Sequence, residues 1–178
     1  MKITLRTVDL KQIYKSLKAA TSKVTSNAIR LKCFNGECVA TSMDAYRIHT
    51  LTVHCEGDDG EMLIPIVKIP NNKISNVTIS EEGEEIIFDF TTEKVTNSIV
   101  VCDFPNTEQF FSKDEPCFEI ALDSTFLAEA CESFDKNTHL LLTFYGDMKP
   151  CVITPDKPNN SDKRLIMPVR RENGMVKQ

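Results

Sequence analysis

The chain has no tryptophan, and only 7% of its residues are aromatic. That poverty argues against a large aromatic binding platform. It has no apolar run long enough to cross a membrane and no apolar leader ahead of its first amphipathic stretch, Lys2-Ile3-Thr4-Leu5. Its seven cysteines form an odd, scattered set without the spacing of a secreted disulfide framework. A reduced, cytoplasmic protein is therefore expected. Also missing are a glycine-rich phosphate loop, a nucleophile elbow and a paired-carboxylate motif. Asp44, Arg47 and His49 lie close in sequence, but nothing accompanies them that would make an acid–base site, so no enzyme is expected. His49 and His54 fall on opposite faces of one expected strand and His139 stands alone, so neither a metal nor another cofactor is expected.

What is present is core-forming and unevenly charged. The 178 residues are 41% hydrophobic, enough for a packed interior. The net charge of −5 conceals a strong asymmetry. Residues 1–56 carry nine Lys/Arg against four Asp/Glu, residues 57–116 four against thirteen, and residues 117–178 eight against nine. Only the N-terminal third is suited to face a polyanion.

Three similar supersecondary units follow one another. The first has a strand near 2–8, a helix over roughly 10–22 with Asp9 as its cap, and three strands. Leu10, Ile13, Tyr14, Leu17 and Val24 have helical spacing for a core face. Lys11, Lys15 and Lys18 recur on the other side, either as a solvated face or as a set of phosphate contacts. Asn35-Gly36 marks a tight hairpin, since both residues tolerate positive φ. That hairpin makes Cys33 and Cys38 cross-strand partners. A disulfide or half a metal site is conceivable there, but two small core residues in a reducing cell is the preferred reading. The second unit has strands at "NVTIS", "EIIFDF" and "NSIVVCDF", with its helix lost or reduced to a turn. The third has a strand at "CFEIAL", a helix near 125–135 capped by Asp123 or Ser124, and strands at "THLLLTFYG", "PCVITPD" and "RLIMPVRR". The third helix has Leu127, Ala130, Cys131 and Phe134 on one side and Glu129, Glu132 and Asp135 on the other. The expected division is a two-unit domain over 1–115, a third unit over 116–172, and a frayed tail over 173–178. The fold class is α+β with antiparallel sheets.

Two stretches carry a family resemblance. "CVATSMDAYRIHTLTV" (38–53) resembles the segment around the Asp-Gly-Tyr/His-Arg-Leu motif of bacterial sliding clamps, the DNA polymerase III beta subunit. "KPCVITPD" and "RLIMPVR", within 149–170, are similar to that family's C-terminal end. "CDFPNTEQFF" (102–111) is similar to its Phe-Pro-Asp-Tyr segment. The repeated strand–helix–meander unit also resembles the clamp's building block, and the chain looks like a middle domain joined to a final half-domain. The resemblance implies a sliding-clamp fold and a processivity factor in DNA replication, or a clamp-derived interaction module that never encircles DNA. It implies a peptide groove in which Asp44, Tyr46, Arg47 and Ile48 supply one wall and Leu165, Ile166, Met167, Pro168, Val169 and Arg170 the other. The implied partners are double-stranded DNA, bound weakly and without sequence preference through Lys11, Lys15 and Lys18; peptides of a DNA polymerase or clamp loader; and other copies of the chain. A family ring holds twelve units, so three per chain require four chains. Ala45 replaces the family's glycine and Met43 stands where threonine is common, both narrowing the expected pocket. Pro168 would end strand pairing and free the backbone beyond it to border the groove.

Overall fold

A computed structural model describes residues 1–21, 27–70, 74–146, 148–157 and 162–169, and the backbone of 171–172 and 175–176. The chain divides into two compact units, Met1–Phe111 and Ser112–Gln178.

The first unit opens with β1 (Lys2–Arg6), α1 (Thr7–Leu17) and a 3-10 turn (Lys18–Ala20). It continues through β2 (Ile29–Phe34), β3 (Glu37–Met43), β4 (Ile48–His54), β5 (Glu56–Gly57), β6 (Gly60–Ile64), β7 (Asn76–Glu82), β8 (Glu85–Asp89) and β9 (Lys94–Ser98). A second 3-10 turn follows at Thr107–Phe110. The strands form two antiparallel sheets, one in the order β5-β1-β7-β8-β9 and the other β4-β3-β2-β6.

Alternation explains the core. Ile3, Leu5, Val77, Ile79, Ile86 and Phe88 line the inner face of the first sheet, and Leu31, Cys33, Cys38, Ala40, Met62 and Ile64 that of the second. The helix adds Leu10, Ile13, Tyr14 and Leu17 at the spacing expected for a buried stripe. Val24, assigned to the same stripe, lies outside the described residues. Among the described residues between β6 and β7 there is no helix.

Asp9 is not the cap. The helix starts three residues earlier than expected, at Thr7, with Arg6 at the cap position and no side-chain cap bond. Asp9 is buried within the first turn, where Arg6 donates to its two oxygens from Nε at 2.7 Å and from Nη2 at 2.8 Å. A carboxylate in the first turn still complements the helix dipole. The hairpin is as expected. Asn35 and Gly36 have φ of 52° and 80°, and Cys33 pairs with Cys38 across the ladder.

The second unit has α2 (Ser124–Glu132) and the sheet β10 (Leu140–Thr143), β11 (Cys151–Pro155) and β12 (Arg164–Ile166), all antiparallel. Asp123 caps α2, accepting from the amides of Thr125 at 2.7 Å and Phe126 at 3.4 Å. Cys151, Ile153 and Ile166 are its buried centre, with Leu127, Ala130 and Phe134 packed on them. "CFEIAL" joins no ladder. Its carbonyl at Ala121 instead accepts from the Val169 amide at 2.8 Å. The strand expected through Phe104 ends at Ser98. The expected tail contributes Met175–Val176 (β14), which pairs with Arg171–Glu172 (β13).

Candidate peptide-binding surfaces

β3 and β4 are joined by the loop Asp44–Arg47. The Asp44 amide donates to the Arg47 carbonyl at 3.0 Å, closing the hairpin. The Asp44 carboxylate then accepts from the amides of Tyr46 at 2.8 Å and Arg47 at 3.0 Å, and from Arg47 Nε at 2.9 Å. The Arg47 side chain, followed by the Tyr46 amide, holds this carboxyl below the usual carboxylate range. Locked by its own aspartate, the loop holds Tyr46 out 95% exposed. Two further bonds fix its base. Ser42 Oγ donates to the Leu17 carbonyl at 2.8 Å, and His49 Nδ1 donates to the Ser16 carbonyl at 2.9 Å. These tie the last carbonyls of α1 to the strands on either side of the loop.

Met43 to Ile48 line a groove of about 480 Å³ whose remaining wall is Phe110 and Phe111. The groove therefore gathers four of the expected residues, Asp44, Tyr46, Arg47 and Ile48. It adds two phenylalanines that a motif search on the loop alone misses. Their signal lay in the "CDFPNTEQFF" segment, whose apolar end is exposed here.

In the second unit, Leu165, Ile166, Met167, Pro168 and Val169 line a groove of about 680 Å³ with Asp123, Phe126 and Glu129 of the α2 region. Strand alternation separates them sharply. Ile166 is 4% exposed and belongs to the core, whereas Leu165 and Met167 are 60% and 62% exposed. Leu165 and Met167 are thus the outward residues of this strand end. Pro168 does not leave a free backbone beyond it. Pairing with β11 ends at Ile166, and the Val169 amide is committed to Ala121. Arg164 braces the groove, stacking 4.4 Å over Phe134 and donating from Nε to Ser133 Oγ at 2.8 Å. Arg170 lies outside the described residues. The two motif segments belong to different units, and each lines a groove of its own unit.

Lys11, Lys15 and Lys18 are exposed, and among the described residues none of them forms an ion pair. The exposed side of α1 carries no acidic residue, since Asp9 is buried. On α2, Glu129 and Glu132 are exposed, as is Asp135 just beyond it.

The cysteines are free. The neighbouring Cys38 thiol, with burial, pushes the Cys33 thiol far up, and burial lifts Cys55 to about 11. Such thiols are poor nucleophiles. Among the described residues no cluster of three or more His, Cys, Asp or Glu is placed to hold a metal. No described helix is long and apolar enough to cross a membrane.

Antiparallel sheets built from repeated units, with helices packed on their inner faces, are the architecture of the sliding clamps, and the chain has that fold. It is similar to a provisionally assigned DNA polymerase III beta subunit from Eubacterium rectale, with a TM-score of 0.74 and 14% identity, covering 94% of this chain and 50% of that one. It is similar to the DNA polymerase sliding clamp of Bacillus subtilis, with a TM-score of 0.62 and 14% identity over 97% of this chain and 65% of that one. It is also similar to the Helicobacter pylori beta clamp bound to a DNA ligase peptide, with a TM-score of 0.56 and 14% identity over 94% and 56%. The chain thus spans half to two thirds of the length of these clamps. No protein-family model and no curated protein matches it.

Proposed function

We propose that the chain is a shortened sliding clamp, a processivity factor that holds a polymerase near DNA and performs no chemistry itself. The observation that carries this reading is the outward display of apolar side chains on both motif segments of a clamp fold. Tyr46 with Phe110 and Phe111 forms one surface, and Leu165 with Met167 forms the other. Large exposed apolar groups beside a polar rim are what an extended peptide with apolar anchors requires. The peptide would come from a polymerase or a clamp loader, and Arg170 would contribute to the rim. Lys11, Lys15 and Lys18 would meet the DNA backbone without reading bases. Several copies of the chain would assemble around it.

Titration with a clamp-binding polymerase peptide, followed by chemical shifts, tests the reading. Shifts clustered at Tyr46, Arg47 and residues 165–169 support it. No binding at millimolar peptide, with the fold intact, overturns it.

The acidic side of α2 favours a second reading. Glu129, Glu132 and Asp135 would repel DNA. A clamp-derived module that binds clamp-type peptides without encircling DNA would tolerate them. Light scattering separates the two, because a monomer cannot close a ring.

A further inference from the structure

Arg30 is the second residue of β2 and faces away from the core that Ile29 and Leu31 help to fill. It is nonetheless only 8% exposed. What covers it is the segment from Phe104 to Phe111, which follows the last strand of the first unit and crosses the outer face of the four-stranded sheet. The guanidinium grips that segment at several points. Nη2 donates to Thr107 Oγ1 at 2.9 Å, Nη1 reaches the Pro105 carbonyl at 3.5 Å, and the planar group lies 5.0 Å from the centre of the Phe104 ring. One position along the same face, Lys32 Nζ meets Glu108 Oε1 at 2.6 Å. The strap also braces itself, with Asn106 Oδ1 accepting from the Glu108 amide at 3.1 Å.

The bonding of Arg30 is unusual for a buried cation. Among the described residues its partners are a hydroxyl, a carbonyl and an aromatic face, and its Nε has no hydrogen-bond partner. A buried charge that finds no carboxylate among the described residues is an expensive way to hold a loop. Only a planar fork can reach two strap groups and stack on a third at once. Lysine, a point donor on a flexible stem, cannot.

The end of the strap is the wall of the Asp44–Ile48 groove. Thr107 and Phe110 are three residues apart in one 3-10 turn, so fixing the first orients the second. We infer that Arg30 is the positioning residue of this groove. Through Thr107 and Phe104 it holds the strap so that Phe110 and Phe111 stand opposite Tyr46 and Ile48. This rests on the peptide-binding reading and names a residue outside the groove on which binding depends.

The experiment uses the full chain with Arg30→Met, Arg30→Lys, Thr107→Val, Thr107→Ser and the Arg30→Met/Thr107→Val double variant. A clamp-binding polymerase peptide is titrated against each, and amide exchange of residues 106–111 is followed without peptide. Arg30→Met, Arg30→Lys and Thr107→Val should each speed strap exchange and weaken the peptide about tenfold, as loss of an interface anchor does. Exchange in β2, β3 and β6 should stay as in the parent. Thr107→Ser, which keeps the acceptor oxygen, should bind as the parent does. The double variant should be no worse than either single one, because the two act as a unit. Should Arg30→Met fail to fold, Thr107→Val and its serine counterpart decide the matter alone. Parent-like affinity in a folded Arg30→Met or Thr107→Val chain overturns this inference while leaving the peptide reading intact. A parent chain that binds no peptide overturns the peptide reading and, with it, the role of Arg30 in binding. The exchange data would still report whether Arg30 holds the strap.

Discussion

The Tyr14 hydroxyl donates to the Pro65 carbonyl at 3.1 Å, joining the buried face of α1 to the segment that follows β6. The same oxygen accepts from the Val67 amide at 3.4 Å. One phenol thus satisfies two backbone groups of the segment that follows β6.

Replacing Tyr14 with Phe should therefore leave both groups unpaired and cost about 1–3 kcal/mol, read as a lower melting temperature. Burial pushes the phenol above its ordinary range. The neutral form is thus the one the fold prefers, and its contribution is complete below the unfolded value of about 10 and fades as pH rises beyond it. Denaturation between neutral and strongly alkaline pH should show a steeper loss for the parent than for Tyr14→Phe.

Ile166 and Leu165 should answer mutation in opposite ways. Ile166→Ala removes a core side chain from a small unit and should cost about 2–4 kcal/mol, read as faster amide exchange across β10, β11 and β12. Leu165→Ser should leave exchange unchanged and weaken the peptide. Equal effects on exchange would contradict the outward placement of Leu165.

The Asp44 loop should loosen in acid. Its carboxyl titrates below the usual range because the folded loop favours the charged form. Its contribution is thus present above the unfolded value of about 3.9 and lost as pH falls through the folded one. The amide shifts of Tyr46 and Arg47 should stay constant down to that region and then move together. Asp44→Ala should show the loosened shifts at every pH.

Charge reversal of Lys11, Lys15 and Lys18 to Glu should abolish any binding to duplex DNA. In the parent, three phosphate contacts give a log–log salt slope of roughly −2 to −3. Unchanged binding in the triple variant would make the stripe a solvated face only.

Much of this was legible because it was local. Asn35-Gly36 specified its own turn, and the turn specified the Cys33–Cys38 register. The stripe from Leu10 to Leu17 separated core from lysines, and Asp123 capped α2. Asp9 misled because a carboxylate before an apolar run looks like a cap, while its real partner, Arg6, lies outside that pattern. "CFEIAL" alternates like a strand, but alternation cannot say whether a neighbour exists to pair with it. Arg30 was invisible for the same reason. Its hydroxyl partner, Thr107, lies 77 residues away, and a charged residue inside a strand ordinarily reads as solvent-facing. The groove's phenylalanines are likewise placed by a strap whose course depends on that distant contact.

The position of β1 has a consequence for how the chain is made. It lies between β5 and β7, and its longer ladder pairs Lys2 with Ser80 and Arg6 with Asn76. During synthesis β1 must wait until more than seventy further residues have left the ribosome before that ladder can form. The four-stranded sheet, drawn from residues 29–64, has all its strands well before then. It is the natural early scaffold, while β1 has only its two-residue pairing with β5 until β7 emerges. Long-range pairing of this kind slows folding and exposes strand edges in the interval. The first unit should thus depend on chaperones during translation more than its finished core would suggest.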